Sequence, residues 1–431
     1  MKFLFKVIIL FLIVFNFRLP YIYNSAFLSI ALCSFYYIRK DGAIPFTCFF
    51  QRYSAIILIG TAVLAFIVSL ISVLHNMDLL PVRGRRVWVE FMMLWALTFA
   101  LPLLVEGKES KAFEELLLII CYTFALQGVL SLIAYLYDPF AEFLLTFKDE
   151  AIKAGEAESE LDNRFRFLNL SGIVLVELAA GYGAALIAFF WLQLNYDHPY
   201  VKGWRKYAVF FFIVLGTSFA GRTGFIGFLM GFGGWLFFSF NSIFMILRRN
   251  IGSLIISVLA ILFIFNFLLS SSQRNAFDTE LFPFAFEWYY NYQNYGRFSV
   301  GSMEATSEHY YYIYDETLMK GHGIDAFGGG TSYQHSDAGY INNLVFGGIP
   351  LLICLIIYQC LYTIPPIEIS LKKNTRENRA NIGFFLILFA YIFIVEIKAP
   401  AVGYMHIIEV LYLAMGSSFL MQYYLPKENM N

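Results

Sequence analysis

Long apolar runs separated by short polar segments set the pattern of this 431-residue chain. Runs of about 20 residues match the length that a helix needs to cross about 30 Å of hydrocarbon. The pattern therefore predicts about 12 transmembrane helices. We place them at residues 3–17, 20–38, 54–74, 87–105, 113–137, 168–194, 207–220, 223–240, 251–269, 339–362, 381–397 and 402–424. Because Gly221–Gly224 interrupts the seventh and eighth, that pair is either two short helices or a broken re-entrant segment.

The composition supports an all-α integral membrane protein. Hydrophobic residues make up 59% of the chain and charged residues 14%, whereas soluble proteins carry about 25% charged residues. The 48 Phe and 29 Tyr suit lipid-facing helices with aromatic belts at the membrane interfaces. We therefore expect one polytopic membrane domain over residues 1–431. The net charge of −1 does not favour a nucleic-acid partner.

The basic residues of the short loops orient the predicted bundle. The first span starts like a signal peptide, but no small-residue cleavage site precedes Arg18 and Pro20, so we expect it to be retained. With the N-terminus inside, most Lys and Arg of short loops are cytoplasmic. Residues 138–167 then form an outer loop, and residues 270–338 form a large outer loop, which would be periplasmic in a bacterial inner membrane.

Three arginines depart from this orientation. Arg83, Arg85 and Arg86 fall in a short outer loop. Either a helix is miscounted there, or these arginines bind an anion on the outer side.

The large outer loop is rich in aromatic residues. It contains the runs FPFAFEWYYNYQNYG and HYYYIYDE, in which tyrosines alternate with polar side chains. Such a segment suits a carbohydrate-binding surface, because sugars offer apolar CH faces and many hydroxyls. It equally suits an interfacial helix at the level of the lipid headgroups.

Two further arginines are candidate phosphate ligands. Arg222 stands in SFAGRTGFIGFLMG, at the start of an apolar helix, where free N–H groups and a guanidinium together favour a phosphate. The alternative is that Arg222 only anchors the turn. Arg297, in NYGRFSVG, is either a second phosphate ligand or a solvent-exposed loop arginine.

The polar stretch GHGIDAFGGGTSYQHSDAGYINNLVFGGIP leads into the predicted span 339–362. His335 could accept a proton from a hydroxyl at neutral pH. Asp337 could orient His335 or bind a sugar hydroxyl, and Tyr340 lies one helical turn beyond Asp337. Gly347 and Gly348, followed by Pro350, predict a close helix contact or a kink.

Several motifs are absent from the sequence. It contains no D-x-D, which disfavours a metal-dependent nucleotide-sugar transferase, and no Walker A motif for ATP. G-x-S-x-G and H-E-x-x-H are missing too. We therefore expect no metal site and no cofactor.

The motifs and their order resemble a known superfamily. The turn GRTGFIG is followed by GRFSV, by ETLMKGHGIDAFGG and by His335-Ser-Asp337-Ala-Gly-Tyr340 with Gly348-Ile349-Pro350. This arrangement is similar to that of the O-antigen polymerase (Wzy) and O-antigen ligase superfamily. The family motif tends to read His-Asn-x-Tyr-Leu and then Gly-Ile-Gly, so this chain differs at Ser336 and in the place of the tyrosine.

The resemblance implies a GT-C-like bundle and a metal-independent glycosyltransferase at the periplasmic face of a bacterial inner membrane. The implied donor is an undecaprenyl-pyrophosphate-linked oligosaccharide. The implied roles are catalysis for His335 and Asp337, pyrophosphate binding for Arg222 and Arg297, and substrate binding for Tyr340 and Arg86.

The function we expect is that of a surface-polysaccharide polymerase, and two alternatives remain open. A polymerase would join lipid-linked repeat units, and a ligase would transfer the polysaccharide to lipid A–core. A flippase or another transporter of lipid-linked oligosaccharides is the alternative from a different class. Expected partners are the lipid-linked oligosaccharide, membrane lipid and a chain-length regulator protein.

Overall fold

The computed structural model describes residues 3–19, 24–43, 52–76, 82–147, 175–195, 202–239, 271–276, 278–279, 283, 287–297, 310, 315–323, 336, 338–372 and 375–424. The regular elements in these ranges are helices. The α-helices are α1 (Phe3–Phe15), α2 (Ser25–Asp41), α3 (Arg52–Asn76), α4 (Val82–Val105), α5 (Ala112–Leu136), α6 (Asp138–Leu145), α7 (Leu175–Asn195), α8 (Gly203–Ala220), α9 (Thr223–Ser239), α10 (Ser271–Ala276), α11 (Glu287–Tyr295), α12 (Asp315–Lys320), α13 (Gly339–Leu371), α14 (Arg376–Lys398) and α15 (His406–Tyr424).

Six helical stretches in the described residues are long and apolar enough to cross a membrane. They are Arg52–Asn76, Arg83–Val105, Glu109–Leu136, Val176–Leu194, Gly339–Leu371 and Glu377–Lys398. Two shorter helices, α1 and α9, are apolar as well. The chain is therefore a helical, membrane-embedded protein. The number of 12 spans stays a prediction, and the predicted span 251–269 lies outside the described residues.

The chain divides into two compact units, formed by Met1–Leu28 with Glu114–Phe298 and by Ser29–Phe113 with Ser299–Asn431. In the first unit, α9 packs closely along α7. A Cβ atom at Gly227 would collide with the backbone of Gly183, and one at Gly231 would lie 2.9 Å from Ile187 Cα. Glycine at these positions thus lets two apolar helices approach to backbone contact, as small residues do in membrane bundles.

The second unit is a bundle in which α13 packs on α3, α14 and α15, while α4 packs on α3 and α15. Aromatic rings fill part of its core. Phe113 packs against Phe384, Phe385 and Phe419, with ring centroids 5.4 to 5.9 Å apart. The short helix α12 lies against α13.

The predicted kink in α13 is confirmed at Gly348, whose φ of 66° and ψ of −168° are not helical. The break leaves the Phe346 carbonyl without its usual partner, because Pro350 has no N–H to donate to it. The backbone N–H groups of His322 and Gly323 donate to the carbonyls of Val345 and Phe346 at 2.6 and 2.8 Å. The Gly-His-Gly segment therefore supplies hydrogen-bond donors to the carbonyls at the break. Backbone carbonyls in apolar surroundings need such partners.

Candidate functional site

Helix α4 begins at Val82, earlier than the predicted start at residue 87, so the three arginines of the expected short loop lie in its first turns. Arg85 is exposed and Arg86 is half-buried, whereas Arg83 is only 1% exposed. An arginine buried to this degree needs hydrogen-bond partners to offset its desolvation.

Polar contacts connect Arg83 to two other helices of the second unit. Arg83 Nη2 donates to the amide oxygen of Asn343 in α13. Asn343 Nδ2 in turn donates to Glu396 Oε1 in α14 at 2.5 Å. Asn343 and Glu396 are both buried. We call Arg83, Asn343 and Glu396 the buried relay, since it connects α4, α13 and α14 through one chain of polar contacts.

Glu396 also holds the turn between α14 and α15. Its Oε2 atom accepts hydrogen bonds from the backbone N–H groups of Ala401 and Val402, at 2.7 and 2.9 Å. Together with the Asn343 amide, three N–H donors converge on this carboxyl. The relay therefore fixes the turn that carries Tyr404.

Arg86 packs against the aromatic ring of Tyr404. The Arg86 guanidinium carbon lies 4.1 Å from the centroid of the Tyr404 ring, in cation–π geometry. Arg83 lies over the ring of Phe346, with its guanidinium carbon 5.0 Å from the centroid. Two guanidinium groups thus stand at the N-terminal turns of α4, where the free N–H groups and the helix dipole also favour an anion. Arg86, which is not fully buried, is the one that a ligand can reach.

Hydrogen bonds of polar side chains hold the N-terminal turn of α13 in place. Ser336 Oγ accepts from the backbone N–H of Ala338 at 3.2 Å, and Asn342 Nδ2 donates to the carbonyl of Ser336 at 3.3 Å. The Tyr340 hydroxyl donates to the carbonyl of Phe393 at 3.1 Å. These contacts set the direction in which the chain arrives at α13. His335 and Asp337, the predicted catalytic residues, lie outside the described residues.

One residue of the aromatic outer segment reaches the same unit. The Tyr310 hydroxyl donates to the carbonyl of Ile397, at the end of α14, at 2.9 Å. Burial, and then the negative charge of Glu396, raise the pKa of Tyr310 above its ordinary value. Tyr310 is therefore a neutral phenol at physiological pH, and its hydroxyl is a hydrogen-bond donor.

The two predicted pyrophosphate ligands belong to the first unit. Arg222, in the turn between α8 and α9, pairs through Nη1 with Glu287 Oε2 of α11. Arg297 follows Gly296 and is exposed. Arg86 and Tyr340 belong to the second unit.

Sequence reasoning missed Asn343 and Glu396 as organising residues. A signal for both exists, because an amide and a carboxyl inside apolar runs are costly unless they find partners. Their connection to Arg83 could not be predicted, since residues 83, 343 and 396 are far apart in the chain.

Comparisons of the chain with protein-family models, with curated proteins and with solved structures give no match.

Proposed function

We propose that this protein is a surface-polysaccharide polymerase, a metal-independent glycosyltransferase that joins undecaprenyl-pyrophosphate-linked repeat units at the periplasmic face of a bacterial inner membrane. The observation that carries the proposal is the position of Arg86. Its guanidinium lies on Tyr404 at the N-terminus of α4, in the same unit as the helix that follows the His335–Asp337 motif. The resemblance of its motifs to those of the O-antigen polymerase superfamily suggests the reaction class.

The proposed reaction needs an anion site and a proton acceptor. The bond between the donor sugar and the pyrophosphate breaks, and the leaving lipid pyrophosphate gains negative charge, which Arg86 and the α4 N-terminus stabilise. The acceptor hydroxyl forms the new glycosidic bond and gives its proton to His335, with Asp337 as the orienting group. The free energy stored in the pyrophosphate link drives the transfer. Arg222 and Arg297, in the first unit, remain proposed pyrophosphate ligands.

The experiment starts from a strain that lacks the gene, complemented with wild type or with variants, and displays the surface polysaccharide on a gel. Loss of the ladder, leaving single repeats attached to lipid A–core, supports a polymerase. Polymer that stays on the lipid carrier indicates a ligase, and repeat units trapped inside the cell indicate a flippase.

Arg86→Ala tests the site, and Arg85→Ala is its matched control. The two arginines are neighbours in the same helical turn, and each substitution removes one positive charge, but Arg85 is exposed. We expect Arg86→Ala and His335→Ala to abolish the ladder, with normal amounts of protein in the membrane, while Arg85→Ala keeps it. Normal ladders from Arg86→Ala and His335→Ala would refute the proposed site.

A transporter of lipid-linked oligosaccharides is the second candidate. It is favoured by two carboxyl side chains, Glu90 and Glu409, that are buried among the helices of the second unit. Buried carboxyls among membrane helices are common in proton-coupled transporters. The accumulation of lipid-linked single repeats on the inner side of the membrane would identify this function.

A further inference from the structure

A second polar network lies in the second unit, apart from the buried relay, and its centre is the hydroxyl of Tyr358. Four side-chain oxygens surround this hydroxyl. Thr61 Oγ1 lies at 2.7 Å, the Tyr362 hydroxyl at 2.8 Å and Glu409 Oε2 at 3.0 Å, and Glu90 Oε1 is also in hydrogen-bond contact. The network joins α3, α4, α13 and α15.

The network has fewer hydrogens than its contacts need. The Tyr358 hydroxyl carries a single hydrogen, so it can donate to only one of its four neighbours. The hydroxyl of Thr61 already donates to the carbonyl of Ile57 at 2.9 Å. If Glu90 and Glu409 were both ionised, Tyr358 could donate its hydrogen to only one of them. The oxygen of the other carboxylate would then contact the hydroxyl oxygen with no hydrogen between them, and the two atoms would repel each other.

Glu90 Oε1 and Glu409 Oε2 both contact the one Tyr358 hydroxyl, so the two carboxyls lie within two hydrogen-bond lengths of each other. Both contacts can be hydrogen bonds only if one carboxyl carries a proton and donates it to the Tyr358 oxygen, while Tyr358 donates to the other carboxyl. Glu90 is 1% exposed and Glu409 is fully buried, so two negative charges at this separation would be strongly unfavourable. Glu409 Oε1 accepts a hydrogen bond from the backbone N–H of Gly403 at 2.7 Å. This donor can stabilise one negative charge that the two carboxyls share.

We propose that Glu90 and Glu409 hold one proton between them at neutral pH, with Tyr358 as the bridging hydroxyl, and that this proton-binding site keeps α4, α13 and α15 packed together. The inference does not depend on the proposed polymerase activity. It concerns residues to which the glycosyl transfer assigns no role.

The surroundings of the pair are dominated by phenols. The titratable groups that face it are Tyr362 on α13, Tyr53 on α3 and Tyr412 on α15, with Tyr391 of α14 next to Tyr412. His406 lies one helical turn before Glu409 and faces Arg86. Tyrosines stay neutral through the physiological range, so the carboxyl pair is the group that changes charge in this network.

Infrared difference spectroscopy of the purified full-length protein in lipid vesicles tests the proposal. A protonated carboxyl has a C=O stretching band that an ionised carboxylate lacks. We expect a component of this band in the wild type at neutral pH that is lost in both Glu90→Gln and Glu409→Gln, because an amide N–H replaces the shared proton in each. Glu106→Gln is the matched control and should leave the band unchanged, since Glu106 is paired with Lys40.

The pH dependence of unfolding gives an independent measurement. The unfolded chain releases the proton above about pH 4.3, whereas the folded pair keeps it. Unfolding therefore releases one proton, and its equilibrium constant should rise about tenfold per pH unit until the folded pair loses the proton. Each Gln variant should lack this contribution.

Absence of the carboxyl band from the wild type at neutral pH would overturn the proposal without any variant. Identical bands in the wild type and both Gln variants would overturn it as well. Should the Gln variants fail to accumulate, Tyr358→Phe provides the alternative. It removes the bridging hydroxyl but not the proton, so the band should shift in frequency and persist, and an unshifted band would contradict the bridging role.

Discussion

The backbone N–H of Gly323 donates to the carbonyl of Phe346 at 2.8 Å. In an unbroken helix that carbonyl would accept from residue 350, which is a proline and has no N–H. A segment just before the His335–Asp337 motif in sequence thus closes the break in α13. Asn76 at the end of α3 adds to this arrangement, because its side-chain amide donates to the Gly323 carbonyl at 2.7 Å.

We predict that Gly348→Ala destabilises the protein by about 2 kcal/mol. Gly348 has a φ of 66°, and an added Cβ would lie 2.8 Å from the Leu318 carbonyl oxygen and the Met319 carbonyl carbon. Denaturant unfolding of the purified protein measures the change. Gly233→Ala in α9 is the control, because a Cβ there meets nothing within 4 Å. Equal losses in the two variants would contradict the close approach of α12 to α13.

The buried relay predicts different costs for two neighbouring arginines. Arg83→Met should lower the free energy of unfolding by about 3 kcal/mol. The substitution removes the cation that donates to Asn343, and it leaves the carboxyl of Glu396 buried without a nearby positive charge. Arg86→Met should cost less than about 1 kcal/mol, since it removes a cation–π contact from a half-buried residue. The same unfolding measurement on both variants checks the order. In the double variant Arg83→Met/Asn343→Leu, the effects should be less than additive, and full additivity would argue against the relay.

The contacts of Glu106 with Lys40 and Tyr36, just after the C-terminal end of α4, predict that the stability of the protein depends on pH. Burial would raise the pKa of Glu106, but hydrogen bonds from Lys40 and from Tyr36, the latter at 2.6 Å, hold that pKa below its ordinary value. A lowered pKa in the folded state means that the stabilisation is present above the ordinary carboxyl pKa of about 4.3 and is lost as the pH falls through the folded value.

Wild type should therefore be more stable than Glu106→Gln at pH 7, by a small margin that salt reduces. The difference should disappear as the pH falls below the pKa of the folded protein. Melting temperatures of both proteins, measured from neutral to acidic pH at low and high salt, check this. A difference that persists unchanged in acid would mean that the ionised carboxylate is not the source of the stabilisation.

Much of the fold follows from the sequence. Apolar runs near the thickness of a bilayer predict helices such as Arg52–Asn76 and Glu109–Leu136, because length and hydropathy are local properties. The interruption at Gly221 and the kink at Gly348 also follow from local residue types. The start of α4 does not, since a helix that opens with three arginines has no apolar run to mark its first turn.

The site is only partly predictable. Arg86 is a candidate from the sequence, because the orientation of the basic loops leaves it on the unexpected side. Its relation to Tyr404, and the pairing of Glu90 with Glu409, join residues far apart in sequence and depend on how the helices pack. No periodicity encodes such pairings, so they emerge only from the three-dimensional structure.

The ion pair between Arg222 and Glu287 gives the last prediction. Two roles fit an arginine in this turn: it ties α11 to the α8–α9 turn, or it is a pyrophosphate ligand that Glu287 holds until the substrate arrives. We expect the second, because both side chains keep some exposure, 19% and 28%, and a pair of this kind contributes little to stability.

The two roles predict opposite results for Glu287→Ala. As a ligand, Arg222 should gain affinity for the lipid pyrophosphate when its competing carboxylate is removed. Arg222→Ala should then abolish the polysaccharide ladder, while Glu287→Ala keeps it and lowers the KM for the lipid-linked donor in a reconstituted assay. Arg222→Lys should recover only part of the activity, since an ammonium cannot bind a phosphate in the two-pronged way of a guanidinium. Equal loss of membrane-inserted protein in Arg222→Ala and Glu287→Ala would show that the pair is a structural tie.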